Sequence, residues 1–387
     1  MQTPVSVEAA VRQRYSQGAK HKVRALCCPV SYDAQYLKRI PAEIVERDYG
    51  CGNPSKHVRP GETILDLGCG GGKTCYIAAQ VVGRKGRVIG VDMNDDMLAL
   101  ARKYQPQMAR SLGYNNVQFH KGKIQDLALD LEAFESYLQK HPARTATQWL
   151  EAQAHADLLR QTRPMIGECT VDMVVSNCVL NLVPNADKRQ LFAEIYRVLK
   201  RGGRAVISDI VSDEDIPRAL QNDLELWSGC ISGAFREDAF LRAFEAAGFY
   251  GIRIVERGRQ PWRVVKGIEF RSITVEAYKG KDGICLERNQ AVIYKGPFRE
   301  VLDDDGHRIR RGARFAVCDK TYHIYTREPY RSHFEPVPPR KEIPLAKAKT
   351  FSCGRVEPRH PRETKGMRYK ATTAANNNGS SCEPGCC

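Results

Sequence analysis

Residues 62–93 read ETILDLGCGGGKTCYIAAQVVGRKGRVIGVDM. TILDL is an apolar run of strand length, and GCGGG is a loop whose glycines let a ligand approach the backbone. KTCYIAAQVV has the make-up of a helix, with Gly83 as its stop, and RVIGVDM is a second strand. Asp92 closes that strand 26 residues after Asp66. A carboxylate at that place can accept both hydroxyls of a ribose. A dinucleotide loop requires the spacing GxGxxG. This one reads DLGCGGG, with an acid two residues before its first glycine.

The alternation continues outward. NDDMLALARKYQPQMARSLG is a helix with Asn94 as its cap, and NVQFHKG is a third strand. VDMVVSN is a fourth strand, ADKRQLFAEIYRVLKRGG a helix and RAVISDIV a fifth strand. Strands alternating with helices predict a doubly wound parallel sheet with helices on both faces. The stretch from Asp126 to Cys169 interrupts the pattern as a helical insertion. REDAFLRAFEAAG is a further helix, and IRIVERG and IEFRSITVEAYKG are strands that complete the sheet. Residues 1–60 read as an N-terminal helical segment carrying thiols, 61–280 as the main domain, and 281–335 as a small α+β module. Residues 336–387 are rich in Pro, Lys, Asn and Ser and read as a disordered, cysteine-containing tail.

The 387 residues are 42% hydrophobic with a net charge of +15. No apolar run is long enough to span a membrane, and the N-terminus has no signal-peptide core, so the expected location is the cytoplasm. The charge could suggest nucleic acid, but no zinc-finger spacing or RNA-binding aromatic motif accompanies it, and no nucleic-acid partner is expected. The 14 cysteines are the unusual feature. They include no CxxC pair, and the histidines form no ligand cluster, so a zinc finger or ribbon is not expected. Numerous reduced, scattered thiols point to chemistry with a soft electrophile or metalloid.

DLGCGGG, Asp92 and the LKRGGR stretch at residues 199–204 resemble the class I S-adenosylmethionine-dependent methyltransferases, whose fold is Rossmann-like. That resemblance implies that Asp66, Gly68 and Gly70 lie along the amino-acid part of the cofactor. Asp92 then holds the ribose, Met93, Ile124 and Gln125 flank the adenine, and Asn177 faces the methyl group. Three further motifs are more specific: YGCG at 49–52, VVSNCVLNLV at 174–183 and WSGC at 227–230. Together they are similar to the arsenite S-adenosylmethionine methyltransferase family. The resemblance implies that Cys51, Cys178 and Cys230 bind trivalent arsenic, and that Cys27 or Cys28 pairs with Cys51. It also implies arsenite and methylarsenite as substrates in detoxification, thioredoxin or glutathione as the thiol reductant, and a monomer. The alternative is a class I methyltransferase for a small organic substrate, such as a quinone or sterol carbon. That reading gives the three cysteine motifs no purpose. Cys69 and Cys75 are expected in the core. Cys169, Cys285, Cys318 and Cys353 are expected to be structural, and Cys382, Cys386 and Cys387 to lie in the tail.

Overall fold

β1 (Thr63–Leu67) is buried from Ile64 onward because it lies inside a sheet covered on both faces. It pairs in parallel with β2 (Arg87–Asp92) and β4 (Val171–Asn177). β3 (Val117–Lys121) continues the sheet beyond β2, and β5 (Leu199–Ser212) continues it beyond β4, both in parallel. Two short strands, β6 (Phe235–Arg236) and β8 (Arg263–Val265), pair with β5 and β9. β7 (Tyr250–Arg257) and β9 (Ile268–Tyr278) complete the order β3-β2-β1-β4-β5-β9-β7. β9 runs antiparallel between β5 and β7, so the sheet is mixed rather than wholly parallel. The computed structural model describes residues 6–23, 30–353 and 358–365.

The helices of this part are α1 (Val7–Lys20), α2 (Ala34–Leu37), α3 (Ala42–Glu46), α4 (Lys73–Val82), α5 (Asp95–Leu112), α6 (Leu131–Lys140), α7 (Ala146–Thr162), α8 (Lys188–Val198), α9 (Arg218–Gln221), α10 (Leu224–Ser228) and α11 (Glu237–Ala246). Successive strand residues point to opposite faces. Leu65, Leu67 and Ile207 pack beneath Phe192 of α8 and Phe240 and Phe244 of α11. Ile64, Met173 and Val206 pack on the other face with Tyr76 and Ile77 of α4 and Leu98 of α5. Asn94 caps α5, its side chain accepting from Met97 N at 3.1 Å. The helical insertion is a pair, α6 and α7, capped by Asp130 and by a Thr145–Gln148 capping box. α1 packs against α5 and α10, so residues 7–20 belong to this unit rather than to a separate segment.

A second compact unit begins at Lys281. Its strands are β10 (Leu286–Glu287), β11 (Ala291–Tyr294), β12 (Glu300–Leu302), β13 (Arg308–Arg310), β14 (Arg314–Ala316), β15 (Phe334–Val337) and β16 (Lys349–Thr350). β11 lies between β14 and β15, β10 pairs with β16, and β12 pairs with β13. Among the described residues it also holds two helices, α12 (Asp319–Tyr325) and α13 (Pro361–Thr364). The expectation of a disordered chain from residue 336 is therefore corrected for residues 336–353 and 358–365. β16 and α13 lie there, Phe351 is 2% exposed, and Arg359 forms a fully buried ion pair with Glu287 at 2.7 Å. A polar composition suggested disorder, but it does not reveal that one arginine has a carboxylate waiting 72 residues away.

Candidate functional site

The strand order reverses at β1 and β4, and open α/β sheets bind ligands outside the carboxyl ends of strands at such a point. Here a cleft of about 1020 Å³ opens, lined by Asp66, Gly68, Gly70, Asp92, Met93, Ile124, Gln125 and Asn177. Every cofactor residue expected from the sequence is thus brought to one cavity. Gly68 sits at φ +69°, and a Cβ there would lie 2.4 Å from Val179, so the loop needs glycine at this position. Asp92 is fixed by two backbone donors, Gly70 N and Asn94 N, each at 2.8 Å. A carboxylate can accept about four hydrogen bonds, which leaves capacity for ribose hydroxyls. Burial raises the Asp92 carboxyl, against the pull of those backbone donors. Asp66 is 2% exposed, accepts from Cys75 Sγ at 3.2 Å, and is pushed up by burial to about 7. Cys75 is buried as expected, and also touches this carboxyl.

The cleft has a roof that sequence reasoning missed. Glu8, Val11, Arg12 and Tyr15 of α1 line it. Lys123 Nζ donates to both Glu8 carboxylate oxygens at 2.8 and 2.9 Å, and Asn94 Nδ2 donates to Arg12 O at 2.9 Å. The N-terminal segment was expected to be helical, but nothing in its sequence said where the helix would lie.

Asn177 lines the cleft, but its carboxamide is committed elsewhere. Oδ1 accepts from Cys51 N at 2.8 Å and Gly52 N at 3.0 Å. Nδ2 donates to Gly52 O at 2.8 Å and Tyr32 Oη at 3.1 Å. Besides lining the cleft, Asn177 therefore clamps the YGCG loop. A Cβ at Gly50 would meet Asn177 Nδ2 at 2.1 Å, so only glycine lets the loop come this close. Lys73 pairs with Asp48, and Tyr49 Oη donates to Gly18 O at 2.9 Å, fixing the loop from two other sides.

The clamp delivers Cys51 to Cys178. Cys51, Cys178 and Cys230 are 4%, 5% and 3% exposed, and the Cys178 thiol is hydrogen-bonded to both of the others. Cys230 Sγ also donates to Cys178 O at 3.4 Å, with Tyr15 Oη 3.9 Å from the same sulfur. Cys178 and Cys230 have φ values of +65° and +61°, a left-handed backbone rare for a residue with a side chain. Such a conformation costs about 1–3 kcal/mol and persists only where the surroundings enforce it. Here Cys178 N donates to Ser208 O at 2.8 Å and Cys230 N to Trp227 O at 3.0 Å. The hydrogen bond with Cys230 lowers the Cys178 thiol, but the bond with Cys51 and burial outweigh it and hold it well above its usual range. The bond with Cys178 and burial raise Cys230 likewise. Asp209 offers an oxygen within 4.8 Å of the Cys51 and Cys178 sulfurs. Burial raises it to about 6, and it accepts from Ile210 N and Asn181 N. No motif marked it. Cys27 and Cys28 lie outside the described residues.

Strand order, glycine loop and the acid ending β2 define a class I methyltransferase, and residues 59–248 match a family model described as a methyltransferase domain. Residues 281–369 match a domain of unknown function (DUF8838). The chain is 32% identical to the arsenite methyltransferase of Aquipseudomonas alcaligenes over 80% of its own length and 84% of that protein's, and belongs to the arsenite methyltransferase family. The arsenite methyltransferase of Homo sapiens is 29% identical, over 80% of this chain and 76% of that one. An arsenic (III) S-adenosylmethionine methyltransferase from Chlamydomonas reinhardtii shares the fold with a TM-score of 0.55 and 28% identity, covering 84% of this chain and 99% of that one.

Proposed function

We propose that this chain transfers methyl groups from S-adenosylmethionine to trivalent arsenic held by Cys51, Cys178 and Cys230. The observation that carries the reading is the buried run of three thiols beside the cofactor cleft, two of them on a strained backbone. Arsenic(III) is soft and prefers sulfur to the neighbouring carboxylate of Asp209. Arsenite enters as a trihydroxide. Each thiol proton leaves with one hydroxide as water, so raised thiol pKa values do not prevent the exchange. The arsenic then has three As–S bonds and a lone pair. That pair attacks the sulfonium methyl; the S–CH3 bond breaks, an As–CH3 bond forms, and arsenic is formally oxidised to the pentavalent state. No general base is needed, because the nucleophile carries no proton. The protein's contribution is orientation and exclusion of water, and orientation can supply roughly 7–11 kcal/mol of a barrier.

A thiol pair can return the two electrons as it becomes a disulfide, and Cys51 with Cys27 or Cys28 is the proposed pair. Thioredoxin or glutathione would then reduce it. The decisive test is incubation of the chain with arsenite, adenosylmethionine and a thiol reductant, with methylated arsenic separated and quantified. Cys178→Ser and Cys230→Ser should each lose most turnover of both arsenite and monomethylarsenite while calorimetric cofactor affinity is retained. Cys51→Ser should spare monomethylarsenite more than arsenite, because the monomethyl species needs only two thiolates. Near-normal turnover after loss of Cys178 or Cys230 would place arsenic elsewhere.

A further inference from the structure

The second unit contains a set of thiols that the proposed reaction does not use. Cys285, Cys318 and Cys353 come from three separate parts of the chain, and their sulfurs all lie within 4.8 Å of one another. They are 4%, 1% and 4% exposed, and pack with Ala316 and Phe351. All three are present as thiols. The fold brings them together deliberately. Cys285 immediately precedes β10, and Phe351 N donates to Cys285 O at 2.8 Å, which extends the β10–β16 pairing toward Cys353. Cys318 stands between β14 and α12, with its sulfur 3.1 Å from Thr321 Oγ1. Read singly in the sequence, each is an ordinary buried cysteine. Read together, they are three soft ligand atoms pointing into one apolar space.

We infer that Cys285, Cys318 and Cys353 form a second, non-catalytic seat for trivalent arsenic. Charge and coordination number select the occupant. Three thiols exchange with arsenic trihydroxide to give a neutral trithiolate and three waters, with no change of oxidation state and no reductant. A neutral complex with three bonds and no fourth ligand suits a buried apolar site, where an uncompensated charge is expensive. Zinc would leave a net negative trithiolate and a vacant fourth position of its tetrahedron. Among the described residues no fourth Cys, His, Asp or Glu joins the cluster; His307 belongs to a separate group with Asp303 and Asp305. The glycine loop and Asp92 belong to the other unit.

The test uses the reduced, full-length chain, loaded with arsenite in the absence of adenosylmethionine, desalted and assayed for arsenic by mass spectrometry. The native chain should retain more than one arsenic. The variant Cys51→Ser/Cys178→Ser/Cys230→Ser should still retain one, with an arsenic absorption-edge spectrum showing three sulfur neighbours. Adding Cys318→Ser or Cys353→Ala should reduce retention to background, whereas serine at Cys382, Cys386 and Cys387 should leave it unchanged. The spectroscopic arm leaves the second unit's sequence intact, so it remains decisive even where a substitution there unfolds the unit. The proposal is overturned if the three-serine variant retains no arsenic, if retention survives loss of Cys318, or if zinc occupies the site and arsenite does not displace it.

Discussion

Asn177 shows how a residue can be found in the sequence while a second job of its side chain stays hidden. Its position at the end of β4 was legible; its partners, 125 and 126 residues away in the YGCG loop, were not. Hydrogen bonds across that separation leave no local pattern. The distinction is measurable. Asn177→Ala should free the loop that carries Cys51, and a misplacement near 1 Å can cost about 100-fold in rate. Arsenite turnover should fall on that order while cofactor affinity by calorimetry stays within a few-fold. Asp92→Ala should do the reverse at the binding step, weakening adenosylmethionine by about 1.5–3 kcal/mol through loss of a charged acceptor, with arsenite binding retained. If Asn177→Ala weakens the cofactor as much as Asp92→Ala does, the amide faces the cofactor after all.

At the scale of elements, β1, its glycine loop, α4 and β2 were readable because each obeys local rules: apolar run, glycine turn, helical composition, acidic strand end. The antiparallel placement of β9 was not, since strand composition is blind to direction. Nor was the covering of the cleft by α1. That covering depends on a few tethers. Arg14 Nη1 donates to Glu225 O at 2.8 Å and Ser228 Oγ at 2.9 Å, holding α1 to α10, which ends two residues before Cys230. Arg14→Ala should raise KM for adenosylmethionine by about two- to tenfold, since hydrogen bonds of this kind are each worth about 0.5–1.5 kcal/mol. Limited proteolysis within residues 7–20 should become faster, with global melting little changed. Unaltered KM and cleavage would mean that α1 needs no such tether.

For the whole molecule, the buried acids Asp66 and Asp209 contribute to a pH dependence, with Asp92 shifted in the same direction and the burial-lowered His57 and His120 acting in the opposite sense. Burial raises Asp66 to about 7 and Asp209 to about 6, while an unfolded aspartate titrates near 3.9. The folded chain therefore holds these protons more tightly than the unfolded chain. Their stabilising contribution is complete below about pH 4 and is lost as pH rises through 6 and 7. Lys188, brought down by burial to about 8, acts above that range. Ligand-free protein should thus melt at a lower temperature at pH 8 than at pH 5. Asp66→Asn should flatten the slope and recover up to about 4 kcal/mol at pH 8. A slope that Asp66→Asn leaves unchanged would contradict the burial of that carboxyl as a neutral group. The thiols beside them carry a different consequence. Cys51, Cys178 and Cys230 belong to three distant stretches of one chain, so an arsenic bonded to all three fastens those stretches like a rivet. Each methyl added spends one arsenic valence that sulfur had held. The rivet therefore loses a shank at every turnover, and a dimethylated product hangs by a single thiolate. On the proposed chemistry, release is driven by the reaction's own count of bonds rather than by the opening of a door.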